Sequence, residues 1–209
     1  MTKIKICGLT SKEDTTYVNE AMPEYVGFVF ADSKRKVSLE QAAKLKAQLN
    51  PLIQTVGVFV KEPMEQIVEL CQHKIIDCVQ LHGEEPMEYV AELRKRILNP
   101  IIYAKRIRKG EELSFIDTDS VDYLLFDTYV RGSYGGSGRL IDYKQVPRVE
   151  KPLFLAGGLN AENVRQAIKA VHPYCVDVSS GVETEGKKDL KKILEFVRCV
   201  RENESSSFR

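Results

Sequence analysis

The chain carries almost no net charge: 31 lysines and arginines against 30 aspartates and glutamates leave +1 at neutral pH. So close a balance offers no electrostatic footprint for nucleic acid or for an anionic membrane surface. Long apolar runs are missing as well. Nothing approaches the ~18 consecutive apolar residues of a membrane span. The opening stretch, Met1-Thr-Lys-Ile-Lys-Ile-Cys7, lacks the apolar segment of a secretory leader. The sequence therefore predicts a cytoplasmic chain whose partners include neither nucleic acid nor membrane. The five cysteines, Cys7, Cys71, Cys78, Cys175 and Cys199, are odd in number, widely spaced and without a Cys-x-x-Cys pair. That excludes a disulfide framework or a zinc knuckle and fits reduced thiols. Cys71 and Cys199 fall on apolar helix faces and read as small buried hydrophobes. Of the three histidines, His82 alone falls at a strand end, while His73 and His172 read as surface residues. No transition-metal site is expected from one histidine. Walker and dinucleotide glycine patterns are absent too.

What is present is a repeat. Short runs rich in Val, Ile, Leu and Phe predict strands at Ile4–Cys7, Tyr25–Phe30, Thr55–Val60, Cys78–Leu81, Ile101–Lys105, Tyr123–Asp127, Leu153–Ala156 and Cys175–Val178. Their starts lie roughly 20 to 30 residues apart, the length of one strand–helix unit. Helix starts stand between them. Ser11 with Asp14 and Ser38 with Gln41 look like N-caps. Pro63 and Pro86 belong to first turns, Asn160–Asn163 precedes an apolar helix, and a last helix spans about Asp189 to Val200. Strands alternating with helices imply a parallel sheet. Eight units in 209 residues imply a single-domain (β/α)8 TIM barrel over residues 1–201, with a frayed polar tail at 202–209. A doubly wound open sheet is the rival, but it rarely uses eight near-equal units. No long exposed apolar stripe is legible, so a monomer is expected, a dimer being compatible.

Barrels of this kind build their sites at the C-terminal ends of the strands. The first strand ends in Cys7, a thiol that can act as base or nucleophile once activated. Lys5 shares its parity, and an ammonium there is expected to lower the thiol's pKa. The sixth strand ends in Asp127, too costly to bury unpaired and placed for general acid or base work. The fourth ends before His82. Asp177, inside the eighth, needs a partner such as Lys5 or a substrate hydroxyl. The seventh and eighth end in Gly157-Gly158 and Ser180-Gly181, and small-residue turns at those two ends let backbone N–H groups approach a phosphate. Gly136 and Ser137 lie in a glycine-rich loop, Thr128 to Arg139, that can add donors or cover the site. Arg35, after the second strand, can fork onto a carboxylate; its neighbours Lys34 and Lys36 read as solvated.

Seven segments in order, Lys5–Thr10, Gly27–Phe30, Val56–Phe59, Gln80–Gly83, Gly135–Gly138, Leu155–Leu159 and Asp177–Glu183, resemble the phosphoribosylanthranilate isomerases of tryptophan biosynthesis. The likeness spans all but the tail. It implies a cofactor-free Amadori rearrangement of an N-(5-phosphoribosyl)anthranilate aminoaldose into the 1-deoxyribulose 5-phosphate ketose. It also implies roles: Asp127 as the acid that opens the ribose ring, Cys7 as the base that takes the C2 proton, and Arg35 for the anthranilate carboxylate. Gly157, Gly158, Ser180 and Gly181 would hold the phosphate, with Gly136 and Ser137 adding to it, while His82 and Asp177 would line the site. Arg35 is kept in Ser33-Lys34-Arg35, where the family often has Ser-Pro-Arg, and Ser137 replaces a common threonine. Three rivals are weighed. Indole-3-glycerol-phosphate synthase needs a lysine acid and glutamates at strand ends. A ribulose-phosphate epimerase needs paired histidines and aspartates for a metal. A non-catalytic phospho-ligand binder would leave Cys7 and Asp127 dispensable.

Overall fold

The computed structural model describes residues 1–107, 119–128, 143, 146–147 and 149–205. Eight parallel strands close into a barrel in chain order. They are β1 (Lys3–Cys7), β2 (Tyr25–Val29), β3 (Gln54–Phe59), β4 (Cys78–Leu81), β5 (Ile101–Ile107), β6 (Tyr123–Thr128), β7 (Leu153–Ala156) and β8 (Cys175–Val178). Around them lie α1 (Lys12–Ala21), α2 (Leu39–Lys46), α3 (Met64–Gln72), α4 (Met87–Arg96), α5 (Val164–Val171) and α6 (Leu190–Ser205). Between β8 and α6 come a single 3-10 turn, Ser180–Val182, and a two-stranded hairpin of β9 (Glu183–Thr184) and β10 (Lys187–Lys188). This is the (β/α)8 barrel expected from the repeat.

The strands read as continuous apolar runs because both of their faces are covered. One side packs against the helices: Ile4, Ile6, Val26, Phe28, Val79, Leu81, Leu124, Phe126 and Val176 join the outer core. The other side fills the barrel, where Tyr25, Val56, Cys78, Ile102, Leu125, Phe154 and Cys175 form an inner core. Phe154 sits among three tyrosine rings, with centroids 5.5 Å from Tyr25, 5.4 Å from Tyr123 and 5.8 Å from Tyr174. These rings plug the N-terminal half of the barrel, each large apolar side chain contributing about 1.5–3 kcal/mol by burial.

Capping positions the first two helices. Ser11 Oγ accepts from the Asp14 amide at 3.1 Å, and Asp14 Oδ2 accepts in return from the amides of Ser11 at 3.1 Å and Thr10 at 2.7 Å. Ser38 caps α2 in the same way, accepting from the Gln41 amide at 3.1 Å. Gln41 does not complete a box there. Its side-chain amide donates instead to the Thr10 carbonyl at 2.6 Å, tying α2 to the loop after Cys7. Pro63 and Pro86 stand one place earlier than expected, at the N-cap rather than in the first turn. The last helix is longer than its apolar spacing shows: α6 runs to Ser205, so residues 202–205 of the expected tail are helical. Residues 201–205, Arg-Glu-Asn-Glu-Ser, contain no apolar side chain, so the end of the helix is invisible to a reading based on apolar period.

Candidate active site

Strand parity and register decide which side chains meet inside the barrel. Lys5 pairs in register with Asp177 across the β1–β8 seam. Lys5 is completely buried. Its ammonium donates to Asp177 Oδ2 at 2.7 Å and to Gln80 Oε1, on β4, at 2.8 Å. Burial opposes that charge, but the Asp177 carboxylate beside it, with a smaller contribution from Cys7, outweighs burial and holds the lysine above its usual range. The second oxygen of Asp177, Oδ1, is buried without a protein partner. Lys5, named in the sequence as one of two candidate partners for Asp177, is thus beside it, while Oδ1 is left for another donor.

One layer nearer the C-terminal mouth lies Cys7, partly exposed. Gly27 makes room for it: a Cβ there would stand 2.6 Å from the Cys7 sulfur. Gly8, at φ +84°, makes room for Arg35 instead, since a Cβ there would stand 2.4 Å from Cδ of that arginine. The Cys7 carbonyl accepts from Ser179 Oγ at 3.1 Å. Burial pushes the thiol up; Lys5 and Lys188 pull it down and Asp177 pushes it up again, the net being upward. The sequence expectation of a lowered thiol is therefore corrected. Lys5 acts in the anticipated direction, but desolvation of a thiolate at the end of an apolar barrel outweighs it. The other barrel thiols lie further from activation: burial pushes Cys78 up to about 12 and Cys175 well above the usual range.

Asp127 is the last residue but one of β6 and is about one-third exposed, with Oδ2 lying 3.4 Å from His82 Nε2. His82 follows β4 directly, its amide donating to the Phe59 carbonyl at 2.8 Å. Its Nδ1 is 2.9 Å from the side-chain amide of Gln80. Beyond β4, Glu85 accepts from the amides of Lys61 at 2.9 Å and Gly83 at 3.0 Å, fastening that loop to the one after β3.

Arg35 is held by Glu183 in a two-pronged ion pair, Nε to Oε1 at 2.8 Å and Nη2 to Oε2 at 2.7 Å. Lys188 shares the same carboxylate at 2.7 Å and donates to the Ser179 carbonyl at 3.1 Å. Burial lowers this lysine's pKa, against Glu183. Glu183 and Lys188 received no role in the sequence reading. Glu183 closes the last of the seven segments. Lys188, in Glu185-Gly-Lys-Lys-Asp189, looks like a solvated turn until the hairpin folds it inward. Lys34 and Lys36 are exposed, as expected of a basic turn, and so are His73 and His172.

The loops after β7 and β8 interlock. Gly157 and Gly158 take positive φ, +100° and +65°, and a Cβ on Gly181 would lie 1.9 Å from the Leu159 carbonyl oxygen. Only glycine lets the Ser180-Gly181 turn lie this close to the Gly157-Gly158 turn. Gly136, Ser137 and the loop from residue 129 to Arg139 lie outside the described residues. Among the described residues, no group of three or more His, Cys, Asp or Glu is placed to hold a metal ion, and no helix is long and apolar enough to cross a membrane. A cavity of about 940 Å³ lies away from the mouth, between Met1, Thr2, Leu153, Pro173 and Tyr174. Barrel enzymes work at the opposite end.

A closed parallel barrel that gathers its ionisable groups at the C-terminal mouth defines the class: a TIM-barrel enzyme. The family model described as N-(5'-phosphoribosyl)anthranilate (PRA) isomerase matches residues 4–199, and the chain belongs to that family. The isomerase of Endomicrobium trichonymphae is 47% identical over 201 residues, covering 96% of this chain and 99% of its own. The crystal structure of the Thermotoga maritima enzyme, 36% identical, gives a TM-score of 0.83 over 97% of this chain and 100% of its own. A complex of such an isomerase with reduced 1-(o-carboxyphenylamino)-1-deoxyribulose 5-phosphate, 34% identical, gives 0.75 over 97% and 100%.

Proposed function

We propose that Cys7 and Asp127 divide the chemistry of this isomerase between them as base and acid. The chain converts N-(5-phosphoribosyl)anthranilate to 1-(o-carboxyphenylamino)-1-deoxyribulose 5-phosphate in tryptophan biosynthesis. Asp127 gives its proton to the ribose ring oxygen as the C1–O bond breaks, and the anthranilate nitrogen supplies the electron pair that forms the iminium. The Cys7 thiolate then takes the C2 proton. The electron pair left at C2 moves toward the iminium nitrogen and gives the enolamine, which tautomerises to the aminoketone. That nitrogen is the electron sink, so the reaction as written asks for no cofactor. General acid and general base catalysis typically supply 10²–10⁴-fold each.

One observation carries this reading: Cys7 is the barrel thiol that keeps solvent access and two cations nearby, and Asp127 is the last residue but one of a strand of the same sheet, beside His82. Arg35 is read as the anthranilate-carboxylate ligand, with Glu183 holding its guanidinium until the substrate arrives. The interlocked Gly157-Gly158 and Ser180-Gly181 turns are read as the phosphate cradle, joined by Gly136 and Ser137. The open oxygen of Asp177 is read as the acceptor for a ribose hydroxyl, with His82 lining the same side. We read the chain as cytoplasmic, with its thiols reduced, and as a monomer. Its exposed large apolar side chains, among them Leu52, Leu98 and Leu194, belong to separate elements. The Thermotoga maritima relative is described as dimeric.

The test is direct. Phosphoribosylanthranilate is generated in situ and its fluorescence loss followed with the wild-type chain, Cys7→Ala and Asp127→Asn. Each variant should lose about 10²–10⁴-fold in kcat. Full activity in either one removes that residue from its role, and full activity in both leaves only a binding scaffold.

A further inference from the structure

A file of contacts crosses the barrel interior from β8 to β6. Asp177 Oδ2 accepts from Lys5 Nζ at 2.7 Å, and Lys5 Nζ donates onward to Gln80 Oε1 at 2.8 Å. Gln80 Nε2 lies 2.9 Å from His82 Nδ1, and His82 Nε2 lies 3.4 Å from Asp127 Oδ2. Each step fixes the next. An ammonium has only donors, so the atom of Gln80 facing Lys5 must be its carbonyl oxygen. The other end of that side chain is then the NH2 group, also a donor. The ring nitrogen it faces must offer a lone pair, which leaves the imidazole proton on Nε2.

Rotation of the amide would turn two donors on each other at Lys5. Gln80 is 1% exposed and Lys5 fully buried, so bulk solvent does not reach that clash to repair it, and Lys5 is itself anchored on Asp177. We propose that Gln80 is a positioning residue: it fixes His82 as the Nε2–H tautomer, so that the imidazole turns a donor and not a lone pair toward Asp127. The proposal rests on Asp127 being the acid. A lone pair at Nε2 would accept a hydrogen bond from the protonated carboxyl and hold the proton meant for the ring oxygen. A donor at Nε2 leaves that proton free for the substrate and meets the carboxylate formed once the proton has left. The 3.4 Å separation is long for a hydrogen bond in the free enzyme, and such catalytic contacts commonly tighten when substrate binds.

With three histidines in the chain, histidine-labelled protein gives a simple long-range 1H–15N correlation spectrum, in which the two neutral tautomers have distinct patterns. The ring of His82 is assigned by its loss in His82→Asn. Wild-type His82 should show the Nε2–H pattern. Gln80→Glu can accept from Lys5 and from the ring together, so it should move the proton to Nδ1. Its kcat should fall about 10- to 10²-fold, within what an acid contributes, while KM stays within about 3-fold, since a group acting only in the transition state leaves ground-state binding alone. Gln80→Met, which keeps the volume and drops both hydrogen bonds, should erase the tautomer preference and lower kcat as well. It serves if Gln80→Glu fails to fold. A wild-type ring protonated on Nδ1, or a switched tautomer with wild-type kcat, overturns the proposal. A failed acid assignment would be read elsewhere, as full activity in Asp127→Asn.

Discussion

At the scale of single residues, the site is a contest between burial and charge at one sulfur. A base must be deprotonated to act, and burial disfavours the Cys7 thiolate more than Lys5 and Lys188 favour it. kcat/KM, which reports free-enzyme ionisations, should therefore climb with pH through a thiol lying above its ordinary range. Removing a cation disfavours the thiolate further. Lys188→Met should thus displace the climb to higher pH without abolishing the plateau, Arg35 continuing to neutralise Glu183. A profile that does not move would take Lys188 out of the electrostatics of the base. Cys7, Asp127, Arg35 and His82 were legible as chemistry-bearing types at strand ends. Lys188 was not, because a lysine in a charged turn is ordinarily solvated, and only the fold of β9 and β10 buries this one. Gly27 was visible as a glycine in a strand, but its reason, the width of the Cys7 sulfur, is a contact between neighbouring strands.

At the scale of elements, caps aim the loops that carry the chemistry. Asp14 gathers the amides of Thr10 and Ser11, and Gln41 reaches the Thr10 carbonyl from α2. The segment following Cys7 is therefore held from two helices. Ser11→Ala removes one side of the box and should cost about 1 kcal/mol. In a chain of this size that is a fall in Tm of roughly 2–4 °C, measurable by calorimetry; no change would mean that Asp14 holds the turn unaided. The Ser11–Asp14 box was readable as a local pattern. The diversion of Gln41 to another loop was not, since nothing in Ser38–Gln41 says which carbonyl lies opposite.

At the scale of the whole molecule, the Lys5–Asp177 pair joins the first strand to the last, where the barrel closes. Removing one partner leaves a buried charge uncompensated, and Lys5→Met should lower stability by roughly 3–5 kcal/mol. Replacing both with apolar residues, Lys5→Met with Asp177→Leu, should recover most of that loss, because the desolvation cost of both ions is removed together. Urea unfolding of the three chains measures it, and a double variant as unstable as Lys5→Met would show that the polar layer itself, not its charge balance, holds the seam. Activity is not expected to return with stability, since Gln80 and the open oxygen of Asp177 both depend on the pair.

By itself the sequence determined the repeat, the parallel barrel it implies, and the strand-end residues, because apolar period and turn chemistry are local and survive in one dimension. Strand ends drifted by no more than two residues, as β5 running on to Ile107 illustrates, and the end of α6 was missed where its apolar face ran out. Which partners the strand-end groups meet was decided only by the tertiary structure. Closure of the sheet brings β1 against β8 and sends Lys5 across the interior to Gln80 on β4. Register alone sets the Lys5–Asp177 contact, and the packing of two loops explains Gly181. The balance of burial and charge at Cys7 was decided there as well, because desolvation depends on everything around a group and on nothing in its own stretch of chain.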